Sequence, residues 1–150
     1  MESTRLADQL RRSTHGEAWH GPSLMELLND VDWQQAAAKP VVSAHSIWEL
    51  VLHIAVWADV AIRRVNGEAV EPTPAEDFPR VAGVTEDSWR AAVQTLTQKQ
   101  EALARLIETL SDQRLEEITP GKDYSLYFLL HGVVQHNLYH AGQIAVLKKR

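Results

Sequence analysis

The sequence predicts an all-α protein folded as a four-helix bundle, on three observations. Apolar residues recur at helical spacing in four long stretches, no segment shows strand alternation bounded by hairpin turns, and Pro- or Gly-containing connections punctuate the chain. The 150 residues suffice for one domain with its own core. No repeat, low-complexity tract or convincing boundary divides them, so residues 1–150 read as a single domain.

The elements follow in order. A first helical region runs from about Thr4 to Arg12, and the segment from His15-Gly16 to Gly21 interrupts it. Helix resumes at Pro22, whose fixed φ suits a first helical position, and carries Leu24, Leu27 and Leu28 toward the core. A short turn of helix from Trp33 to Ala38 stops before Pro40. The second long helix covers about Ala44 to Asn66; Ser46 and Glu49 have capping-box spacing, which would move its start to Ser46 and leave His45 just outside. Ile47, Leu50, Val51, Ile54, Ala58, Ala61 and Val65 form one face of it, and Asn66-Gly67 ends it.

From Gly67 to Gly83 the chain changes character, because Pro72, Pro74 and Pro79 exclude regular helix and acidic residues are frequent. A loop this long serves either as a lid or binding segment or as a plain surface connection. Thr85, with Glu86 and Asp87 behind it, starts the third long helix, which reaches about Leu110. Pro120-Gly121 marks a turn, and the fourth long helix spans about Ser125 to Lys148.

Composition narrows the function classes. The net charge of −5 argues against a nucleic-acid partner, which requires a concentrated basic face. The one basic cluster, Lys148-Lys149-Arg150, reads as cations favourably placed at a helix C-terminus. No apolar run approaches a membrane span, and Met1-Glu2-Ser3-Thr4-Arg5 has no apolar stretch behind it. Neither a membrane partner nor a signal peptide is expected, and the expected location is cytoplasmic. The absence of cysteine removes disulfides, thiolate nucleophiles and thiolate metal sites.

The chemistry concentrates in His136-Asn137-Leu138-Tyr139-His140. At about 100° per residue, His136, Asn137 and His140 fall on the apolar stripe of Leu126, Leu129, Leu130, Val133, Ile144 and Leu147. Side chains four apart on a helix have Cβ atoms roughly 5–6 Å apart, close enough for both imidazoles to reach one divalent cation. Unpartnered imidazoles in an apolar stripe are costly, and a metal removes that cost. His53 is the candidate third ligand. It lies between Leu50 and Trp57 on the second long helix, at the flank of the buried stripe. Three histidines from two facing helices would leave coordination positions open for water or substrate.

The other histidines look less committed. His131 points away from the pair and is exposed or interfacial; His45 sits near a helix start; His15 and His20 flank the first interruption. A zinc-protease reading fails, because Asn137 stands where H-E-x-x-H needs its glutamate. A di-iron carboxylate site fails for want of Glu-x-x-His pairs on the fourth helix.

Two segments carry a family resemblance: His45-Ser46-Ile47-Trp48-Glu49-Leu50-Val51-Leu52-His53-Ile54-Ala55-Val56-Trp57 and His131-Gly132-Val133-Val134-Gln135-His136-Asn137-Leu138-Tyr139-His140-Ala141-Gly142-Gln143-Ile144. They resemble the helix-two and helix-four motifs of the DinB-like (YfiT-type) superfamily of small four-helix bundles, over about Gly21 to Lys148. The resemblance implies a divalent metal, usually nickel or zinc, held by His53, His136 and His140 with water completing the sphere. It also implies kinship with thiol-dependent enzymes such as mycothiol-dependent isomerases and bacillithiol S-transferases.

The expected function is therefore a metal-dependent thiol S-transferase, isomerase or hydrolase acting on a small molecule, with a low-molecular-weight thiol supplied from outside. Trp57, Tyr139 and Gln143 are candidate substrate-binding residues, each with core packing or ligand support as its plainer role. The alternative is a non-catalytic, metal-stabilised bundle that binds a partner or assembles as a homodimer.

Overall fold

Side-chain caps decide where most of the helices begin. Asp32, Ser46, Thr73, Thr85, Ser111 and Ser125 each accept a hydrogen bond from the backbone N–H three residues on, satisfying a donor the first helical turn leaves free. The computed structural model describes residues 1–149, which form eight helices. Four are long: α1 (Glu2–Thr14), α4 (Ile47–Val65), α6 (Glu86–Glu108) and α8 (Leu126–Leu147). Four are short: α2 (Leu24–Leu28), α3 (Trp33–Ala37), α5 (Pro74–Asp77) and α7 (Asp112–Leu115). There is no strand among the described residues, only an isolated bridge between Ile118 and Ser125. None of these helices is long and apolar enough to cross a membrane.

Two boundaries differ from the sequence expectation, each for a local reason. Pro22 lies outside α2, because the Glu26 carboxylate reaches back to accept from the Ser23 backbone N–H at 2.8 Å and starts the helix at Leu24. The second long helix starts at the Ser46 cap, as the capping-box spacing of Ser46 and Glu49 indicates. The proline-rich connection does contain a helical turn, α5: Pro74 occupies its first position, where no N–H is needed, and Thr73 and Glu76 box its start.

The long helices form a ring in which α1 and α4 each pack against both α6 and α8. Two apolar clusters fill it. One gathers Trp48, Ile54, Trp89, Leu96 and Ile144 with the short α2 and α3; the other gathers Leu6, Leu10, Ala61, Leu103, Ile107 and Leu130. Between them lies a polar layer. On α6, Gln100 separates Leu96 from Leu103, and on α8 Asn137 separates Val133 from Ala141. Their amides bond reciprocally at 3.0 and 3.3 Å, and Asn137 also reaches Ser13 Oγ of α1 at 3.4 Å. The two buried amides find their partners in each other and in Ser13, whose hydroxyl donates to the Leu10 carbonyl at 2.7 Å. The register of α8 against α6 and α1 is thereby tied to one residue next to His136.

Replacing Gln100 by Leu leaves the Asn137 amide without its reciprocal partner. The expected loss is about 1–3 kcal/mol of unfolding free energy, read by urea denaturation. An unchanged midpoint would show that the layer does not contribute to stability.

Candidate metal centre

The two halves of the site come from different helices. His136 and His140 stand one turn apart on α8, and His53 faces them from α4, one turn before Trp57. His136 Nε2 lies 2.9 Å from His53 Nε2 and 3.1 Å from His140 Nε2. One ligand atom from each of the three residues falls within 4.8 Å of the others. Three nitrogens held about 2.0–2.1 Å from a common cation are separated by roughly 2.9–3.4 Å at octahedral or tetrahedral angles. The spacing therefore suits one divalent ion.

The protons point to the same use. His53 Nδ1 lies 2.8 Å from the Asp77 carbonyl oxygen, which can only accept, so Nδ1 carries the hydrogen. His140 Nδ1 likewise faces Gln143 Oε1 at 2.6 Å. Burial pushes the pKa of both rings down, so each is neutral with a bare Nε2 lone pair. His136 is pushed furthest, to about 3, by burial and then by His140 and His53. Its single hydrogen can satisfy at most one of its two Nε2 contacts, leaving the other as lone pair against lone pair. A cation at the centre resolves that conflict, and the residues fit one.

The 67–83 connection closes over the His53 side. The Asp77 carboxylate accepts from Trp57 Nε1 at 2.7 Å and lies 3.1 Å from His53 Nδ1. Phe78 is stacked between two imidazoles, 3.9 Å from His53 and 3.8 Å from His45 with ring planes 6° apart. His53 is consequently only 5 % exposed, although it stands at the flank of its helix.

The nitrogens border a cavity of about 510 Å³, which Asp77 and Phe78 also line. Trp57, Phe128, Leu129 and Val133 supply apolar wall; Arg64, Glu71 and Lys122 supply charge. Of the candidate substrate residues, Trp57 and Tyr139 border this cavity, with Tyr139 largely exposed and edge-on to His140 at 5.1 Å. Gln143 is not among the lining residues; its amide is committed to His140. His15, His20 and His45 are exposed, and His131 is half-buried against Tyr127 at 4.3 Å. None of these four joins the cluster. No motif in the sequence marks Asp77, Phe78, Arg64 or Lys122. Only the acidic, proline-rich composition of the 67–83 connection hinted at a role for the first two.

A family model described as the DinB superfamily matches residues 18–144. The chain belongs to the DinB superfamily. No curated protein and no solved structure matches it. Both halves of the histidine cluster fall within the matched span of this DinB-family chain.

Two outcomes are expected. Gln143→Leu removes the acceptor that orients His140 and should weaken metal binding about 10–100-fold, measured by chelator competition; unchanged affinity would show that the anchor is irrelevant. The metal-free protein should lose stability as pH falls below about 6.5, the unfolded histidine value, because the unfolded chain then binds protons that the buried rings refuse. Each ring contributes at most about 1.4 kcal/mol per pH unit. His136→Ala should flatten the slope of urea-derived stability between about pH 6.5 and 5, a window above ordinary carboxylate titration.

Proposed function

We propose that this DinB-family protein is a divalent-metal-dependent enzyme acting on a small molecule, of the thiol S-transferase, isomerase or hydrolase class. The observation that carries the reading is the pairing of three converging imidazole nitrogens with a cavity of ligand size beside them. His53, His136 and His140 would hold zinc or nickel, with the Asp77 carbonyl and Gln143 fixing two of the rings. Such an ion lowers the pKa of a bound water or thiol and polarises an electrophile. Trp57 offers an apolar face to substrate, and Tyr139 stands at the rim. Any thiol must be a separate small molecule, because the chain has no cysteine. The net charge of −5 favours such a partner over nucleic acid.

One observation favours a second reading. The three imidazoles join α4 to α8, so a bound ion also staples two helices of the ring, as a non-catalytic binding or dimer-forming bundle would use it. The neighbouring cavity supports the enzyme over the staple.

Untagged protein should carry about one equivalent of zinc or nickel by elemental analysis, and His53→Ala and His136→Ala should lose it. Retention in both variants would discard the site. With cobalt in place of the native ion, added small thiols should shift the visible spectrum; a spectrum indifferent to every thiol favours the staple.

A further inference from the structure

The end of the cavity formed by Arg64, Lys122 and Glu71 carries two cations. Arg64, in the last turn of α4, is only 2 % exposed. Its Nε and Nη2 donate to the Val70 carbonyl at 3.2 and 3.0 Å, and its Nη1 donates to the Tyr124 hydroxyl at 3.2 Å. Nη2 also reaches Glu71 Oε2 at 3.2 Å. Lys122 pairs with that same oxygen. Lys122 is placed by the turn before α8, where Gly121 (φ 74) packs so closely on Ala69 that a Cβ would come within 3.2 Å of it.

Two positive groups therefore share one carboxylate oxygen, leaving this end of the cavity with a net positive charge. The carboxylate they share belongs to a side chain that is 65 % exposed. An exposed partner holds weakly and can swing into water, whereas the buried guanidinium cannot leave. Glu71 thus stands where an anionic oxygen of a ligand would be held. The Trp57 ring connects this end to the histidines, 5.6 Å from the Arg64 guanidinium carbon and 5.9 Å from the His136 ring. Trp57, Phe128, Leu129 and Val133 supply the apolar surface of the cavity.

We propose that Arg64 and Lys122 form an anion subsite for a carboxylate of the substrate, displacing Glu71. The substrate class is then a small carboxylic acid with an apolar body, its carboxylate remote from the group that reacts beside His53, His136 and His140. The inference rests on the enzymatic reading for the reacting end, but the subsite itself does not require the metal.

The test is calorimetric titration of the full chain with 4-phenylbutanoate and with 4-phenylbutanamide, metal-loaded and metal-free. In the metal-free protein the acid should bind about tenfold or more tighter than the amide, the value of a charge-assisted hydrogen bond. Lys122→Gln should remove most of that preference. Glu71→Gln, which frees both cations, should tighten the acid several-fold and leave the amide unchanged. Arg64 is buried and its replacement endangers the fold, so Lys122 and Glu71 carry the comparison. Equal binding of acid and amide, binding of neither, or a preference indifferent to Lys122→Gln overturns the subsite. A preference seen only in the metal-loaded protein also overturns it, since the carboxylate is then on the ion. Failure of metal uptake would sink the enzymatic reading while leaving the metal-free preference intact, so the two failures are distinguishable.

Discussion

A neutral imidazole has one hydrogen, and the acceptor it meets decides which nitrogen is left to bind anything else. In this protein His53 gives its hydrogen to the Asp77 carbonyl and His140 gives its own to Gln143. Both Nε2 atoms are thereby turned, unprotonated, toward His136. Burial enforces the neutral state that makes this possible, because it disfavours the charged rings. The chemistry of the site depends on these two hydrogen bonds more than on the bundle in general. The bundle brings three rings together, and the acceptors determine what those rings can do.

The ring of long helices supplies register. The Gln100–Asn137 pair divides the core into two apolar clusters, and Asn137 is the residue next to His136. An amide pair of this kind tolerates little sliding, because a shift of one helix along another breaks its bonds, while an all-apolar seam could repack. Polar groups therefore do two jobs at the same level of the bundle, one fixing the height of α8 and the other facing the cavity.

Much of this was legible in the sequence because it is local. The Ser46 and Thr85 caps, the apolar face of α4 and the stripe containing His136 and His140 all follow from spacing within one helix, and His53 follows from its place on the flank. What comes from elsewhere to cover that flank was not legible. Periodicity says which side of α4 a residue occupies, but Asp77 and Phe78 arrive from more than 20 residues downstream, in a segment rich in proline. Pro74 does not forbid the helical turn, because its position at the start of the turn matters more than its presence. Arg64 is hidden from sequence reasoning in the same way. A basic residue in a last helical turn ordinarily faces solvent, and here the 67–73 segment and Tyr124 fold over it.

The two sides of the cluster are therefore held by unequal means. His136 and His140 share one helical turn, so their separation is inherited from backbone geometry and is hard to alter without breaking α8. His53 instead depends on a sandwich, with Phe78 pressed between it and His45, and on a carbonyl from the same tether. Lineages of this bundle could alter the basicity and reach of that single nitrogen by lengthening, shortening or re-pointing a surface tether. Diversification of reactivity would then proceed through insertions and deletions outside the helices, with all three imidazoles and the ring of rods left untouched.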